Sequence, residues 1–64
     1  MKIIIETPYG RIESSSRSEP LAEMEEWFKN RIAKITNLTI DTVDGPVIIP
    51  EQVLRNSLIR LIEG

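Results

Sequence analysis

The sequence contains no cysteine and no histidine. That excludes a disulfide staple, a thiolate nucleophile, an imidazole base and a Cys/His zinc site. Glycine is scarce, at three residues (10, 45 and 64), and none sits in a loop built to cradle phosphate. Aromatics are limited to one Trp, one Tyr and one Phe, so each has to be accounted for. No apolar run approaches the ~20 residues needed to cross a bilayer. Lys2 is followed by only three isoleucines before Glu6, which does not make a signal peptide. A cytoplasmic location is therefore expected, with no membrane partner. The net charge of −2 leaves no basic footprint for nucleic acid and is too mild for a mimic of the phosphate backbone.

What is present is a globular composition, 41% hydrophobic and 28% charged over 64 residues. Residues 1–64 make one small α+β domain, which buries only about 60% of its unfolded surface and leaves little room for a large active-site cavity. Lys2-Ile3-Ile4-Ile5-Glu6 is β-branched and ends at the turn Thr7-Pro8-Tyr9-Gly10, after which Arg11-Ile12-Glu13 returns as a second strand. A two-residue loop sets Ile5 opposite Ile12 and Glu6 opposite Arg11, matching like with like. A bulge at Gly10 would instead set Ile12 against Glu6.

Ser14-Ser15-Ser16-Arg17-Ser18 reads as a connecting loop, with an anion or phosphorylation site as the lesser reading. Pro20 belongs in a first helical turn with Ser18 or Glu19 as the cap. Leu21, Met24, Phe28, Ile32 and Ile35 then recur at three- and four-residue steps, predicting one apolar stripe over about four turns. The helix is acidic at its start and basic at its end, and Glu25 with Lys29 forms a favourable i,i+4 pair.

Thr36 to Val43 alternates, with Leu38 and Ile40 on one face and Thr39, Asp41 and Val43 on the other. Asp44-Gly45 signals a hairpin, and Val47-Ile48-Ile49 returns antiparallel, with Pro46 marking an end or an edge. The last segment fits either helix or strand by periodicity. Propensity resolves it into one or two helical turns over 51–56, then a strand over 57–63.

The opening Ile5-Glu6-Thr7-Pro8-Tyr9-Gly10-Arg11-Ile12-Glu13 and the closing Gly45-to-Ile59 segment (GPVIIPEQVLRNSLI) resemble small uncharacterised proteins of phages and prophages of Gram-positive bacteria. The resemblance implies a hairpin, helix, hairpin layout and a mobile-element origin. It contains no catalytic motif, so no functional residue carries over from it.

The expected architecture is an antiparallel sheet of four or five strands: β-hairpin, α-helix, β-hairpin, then a short C-terminal helix and a strand. One amphipathic helix packs on one face. Eleven isoleucines are present, and Ile4, Val43, Ile48 and part of the C-terminal apolar set have phases that one helix does not reach. Either the C-terminal segment closes over them or another chain does, which makes a homo-oligomer an expectation.

Trp27 flanks the Met24–Phe28 stripe, so it is either core-edge packing or an interface anchor rimmed by Glu23, Glu26 and Arg31. Tyr9 at the first hairpin tip poses the same choice. Trp27, Tyr9, Ile4 and Arg31 are the candidate protein-interface residues. No catalytic, metal-ligating or cofactor-binding residue is expected, since serines without a His partner and scattered Asp41, Asp44 and Glu51 build no catalytic or ligand set.

The function these residues favour is non-catalytic: a phage or mobile-element accessory protein that binds a host or phage protein as a modulator or inhibitor. The alternative is an oligomer holding an anionic nucleotide between Arg11, Arg17, Arg31, Arg55 or Arg60 of two subunits. DNA binding ranks below both, because Glu23, Glu25 and Glu26 oppose a basic helix face.

Overall fold

A computed structural model describes residues 1–63. In chain order it contains β1 (Lys2–Thr7), β2 (Gly10–Glu13), α1 (Leu21–Arg31), a 3-10 turn (Ile32–Lys34), β3 (Asn37–Thr42), β4 (Gly45–Pro50), α2 (Glu51–Arg55) and β5 (Leu58–Ile62). The C-terminal segment thus divides into a short helix and then a strand, as propensity indicated. The strands do not form the single sheet expected from the sequence. They make a three-stranded sheet of order β2-β1-β5 and a separate two-stranded sheet, β3-β4.

The serine run ties the two sheets together. Beyond β2, the Ser15 amide donates to the Asp41 carbonyl of β3 at 2.9 Å, and the Arg17 amide donates to the Met1 carbonyl at 2.8 Å. The stretch is the connecting loop expected from the sequence, and it also acts as a strut hydrogen-bonded to both sheets. Ser14 is its buried pivot, 3% exposed. Its hydroxyl accepts from the Ile3 amide at 2.8 Å and donates to the Ser15 carbonyl at 3.0 Å.

Both hairpins are closed by one device. In β1–β2, Thr7 Oγ1 donates to the Gly10 carbonyl at 2.8 Å and accepts from the Tyr9 amide at 3.0 Å. In β3–β4, Thr42 Oγ1 donates to the Gly45 carbonyl at 2.7 Å and accepts from the Asp44 amide at 3.2 Å. The sequence holds this as a Thr-x-x-Gly repeat, Thr7 to Gly10 and Thr42 to Gly45. Ile5 lies opposite Ile12 and Glu6 opposite Arg11, so the unbulged register forms.

In the second hairpin Gly45 lies opposite Thr42, so the loop is Val43-Asp44 rather than Asp44-Gly45. Among the described residues only Gly10 and Gly45 have positive φ, 141° and 115°. An Asp-Gly loop of the usual kind needs positive φ at Asp as well; here Gly45 takes all of the unusual geometry.

The helix differs from expectation at both ends. Pro20 itself is the N-cap residue, extended at φ −60°, ψ 142°, with no side-chain cap from Ser18 or Glu19. At the other end Arg31 leaves helical geometry (φ −122°, ψ −13°), and a 3-10 turn replaces the fourth α turn. Ile32 and Ile35 are β-branched and disfavour the α-helix, and the tighter turn redirects the chain into β3. The stripe is consequently cut short, with Phe28 buried and Ile32 exposed.

The core lies between the inner faces of the two sheets and the helices: Ile3, Ile5, Phe28, Leu38, Ile40, Ile49 and Leu54. The Cα envelope is a slab of 28 × 28 × 15 Å. Among the described residues no helix is long and apolar enough to cross a membrane.

Candidate protein-interaction site

Helix α1 lies over the core and leaves an apolar groove on each side. Toward β3, a groove of about 430 Å³ is lined by Ile3, Met24, Trp27, Phe28, Leu38 and Ile40, with Arg17, Glu19, Glu23 and Thr39 as its polar members. Toward β5, a second groove of about 380 Å³ is lined by Leu21, Phe28, Ile32, Ile59 and Leu61, with Glu25 and Lys29. Phe28 belongs to both, because it is the buried side chain of α1 and packs into the core beneath the helix.

Trp27 is 37% exposed. Its ring meets Phe28 edge-on, with centroids 5.0 Å apart and planes at 88°. The Arg31 guanidinium, one helical turn on, sits 5.6 Å from the Trp27 ring centroid. An edge-to-face aromatic contact and a cation over the indole face are both attractive, so two neighbours fix the indole while leaving part of it in solvent.

Two ion pairs flank the helix. Arg17 grips Glu19 through Nε at 3.2 Å and Nη2 at 2.7 Å. The hydrogen bonds from Arg17 hold the Glu19 carboxyl below the usual glutamate range. Lys29 bonds Glu25 at 3.1 Å, and that hydrogen bond raises the Lys29 pKa. Both are surface pairs and contribute little to stability. Among the described residues no three acidic side chains gather into a set that could hold a metal ion.

The four candidate residues fall in three places. Trp27 lines the α1–β3 groove, and Arg31 meets it over the indole ring. Tyr9 stands alone at the β1–β2 tip, 86% exposed, and does not line the groove that holds Trp27. Ile4 offers no free surface, being only 2% exposed although it points away from the core cluster. Glu13 of β2 lies opposite it on one side and Arg60 of β5 on the other. Glu13 pairs with Lys2 at 3.0 Å and Arg60 with Glu6 at 3.1 Å, so the stems of two diagonal ion pairs enclose Ile4 within its own chain. Val43 and Ile48, in contrast, stay exposed.

Residue-by-residue reading missed the state of the strand edges. The Asp41 carbonyl points at Ser15, away from β4, so residues 37, 39 and 41 face away from that strand. Their partners Pro50, Ile48 and Pro46 therefore turn their backbone to the outer side of β4. Two of those three residues have no N–H, so prolines blunt that edge. The four-residue spacing of Pro46 and Pro50, an even number within one strand, was the available signal.

No protein-family model matches the chain, and neither does any curated protein or solved structure.

Proposed function

We propose that the chain is a non-catalytic, protein-binding accessory protein of mobile-element origin, which modulates or inhibits a host protein by seating it against Trp27 on the α1–β3 groove. The observation that carries the reading is the state of that single tryptophan: braced edge-on by Phe28, capped by Arg31, and 37% exposed over an apolar groove. A rigid indole next to an apolar hollow with a charged rim has the composition of an interface hot spot. The absence of His and Cys from the sequence directs the reading toward recognition rather than acid–base or nucleophilic chemistry.

The anionic-nucleotide alternative has less support. Arg17, Arg55 and Arg60 are each tied to a carboxylate of the same chain, at 2.7, 2.9 and 3.1 Å.

The test is affinity capture from host cells with wild type, Trp27→Ala and Tyr9→Ala, alongside thermal melts of each. A protein held in stoichiometric amount by wild type and Tyr9→Ala should be lost from Trp27→Ala. Loss of a hot spot of about 2 kcal/mol weakens binding roughly 30-fold. Undiminished capture by a folded Trp27→Ala, or a nucleotide extracted in place of a protein, would refute the reading.

A further inference from the structure

Of the strand edges, one stands apart. The short β2 edge carries the charged Arg11 and Glu13 before it runs into the strut that bonds to β3, and the β4 edge is blunted by Pro46 and Pro50. Strand β5 pairs with β1 on one side, and among the described residues no strand covers its other side. The Ile3 carbonyl receives the Ser14 amide, so residues 3, 5 and 7 of β1 face β2, and residues 2, 4 and 6 face β5. Their partners Ile62, Arg60 and Leu58 point inward, which leaves the backbone of Ile59 and Leu61 directed outward.

Both faces of this bare edge carry apolar residues, and the one charge among them, Arg60, is paired with Glu6 of its own chain. Ile59 and Leu61 line the α1–β5 groove. On the opposite face Leu58 is 67% exposed and Ile62 is also exposed. An unpaired, unblunted edge with apolar residues on both faces is a template for another strand.

We infer that the occupant is a second copy of the chain, docked as an antiparallel β5–β5 pair on a two-fold axis through Arg60. The strand sequence Leu58-Ile59-Arg60-Leu61-Ile62 is symmetric in character about its centre. This register sets Ile59 opposite Leu61 of the other copy as a hydrogen-bonded pair, which suits their outward backbone groups. It sets Leu58 opposite Ile62 of the other copy on the exposed face, so every apolar side chain of the strand meets an apolar partner.

The two Arg60 side chains face each other across the axis, a repulsive arrangement if they were bare. Each is held back by its own Glu6, with Nη2 3.1 and 3.2 Å from the two carboxylate oxygens, so the row carries no net charge. The result is a six-stranded sheet with an α1 helix over each half. The interface leaves the Trp27 groove on the other side of α1 open, so it stands or falls independently of the function proposed above.

Sedimentation equilibrium of the full chain at low and high micromolar concentration tests this, with folding of every variant checked by circular dichroism. Wild type should sediment as a dimer at the higher concentration. Leu58→Lys, exposed and on β5, should weaken dimerisation at least about tenfold, a loss of about 1.4 kcal/mol. Ile48→Lys, equally exposed but on the proline-blunted β4, should leave it unchanged. Wild type that remains a monomer throughout would overturn the inference, including the case in which only a peptide or host protein occupies the edge. A dimer insensitive to Leu58→Lys would overturn it by placing the contact on another face.

Discussion

At the scale of single residues, polar side chains do more structural work here than their number implies. Ser14 is the buried polar residue on which the join between the sheets turns, and it supplies the acceptor for the Ile3 amide. Ser14→Ala would strand that amide away from water, an unsatisfied donor that costs about 1–3 kcal/mol. Urea unfolding of the variant should show the loss as a lower midpoint with an unchanged slope. Glu19 gives a pH signature. Because Arg17 depresses its folded-state pKa, the pair contributes stability above the unfolded glutamate value of about 4.3, and the contribution is lost as pH falls through the folded value. The pair is half in solvent, so the effect on stability is small and fades with salt. NMR titration of the Glu19 side chain should show a depressed midpoint that rises in Arg17→Ala; an unchanged midpoint would show that the ion pair is not formed in solution.

At the scale of elements, the hairpins depend on their glycines. Gly45 has φ 115°, and a Cβ built there meets no atom within 4 Å. The cost of Gly45→Ala is therefore backbone strain alone, about 1–3 kcal/mol, and thermal unfolding should register it without any change in the folded spectrum. An insensitive midpoint would mean that the loop reaches another conformation freely. Most elements were legible from the sequence because their signals are local. Alternation placed Leu38 and Ile40 inward, and turn residues fixed both hairpins and the Ile5–Ile12 register. Pro50 with its following helix formers located α2. The fourth turn of α1 was not legible, since the periodicity of Ile32 and Ile35 continues after Arg31 has left helical geometry. The two-sheet arrangement was not legible either, because the tie that sets one sheet beside the other is a pair of hydrogen bonds between Ser15 and Asp41, residues 26 positions apart. Of the candidate site, the Trp27–Arg31 pairing follows from i,i+4 spacing and could be read in advance. The enclosure of Ile4 could not, because its cover comes from β2 and β5 at once.

At the scale of the whole molecule, a chain without disulfides closes its apolar surface by several unrelated means. Helices cover the inner faces, ion-pair stems cover Ile4, and prolines blunt β4; among the described residues the β5 edge is left open beside an apolar groove. Pairing of two copies depends on that asymmetry, since a domain with all its edges sealed would have no place for a second copy. Residue-resolved amide hydrogen exchange at two protein concentrations tests it most directly. The amides of Ile4 and Arg60, turned toward each other between β1 and β5, should be protected at both concentrations. Those of Ile59 and Leu61 should exchange fast in dilute solution and slow markedly as the concentration rises. Exchange at Ile59 and Leu61 that is equally fast at both concentrations, or equally slow at both, would contradict the account.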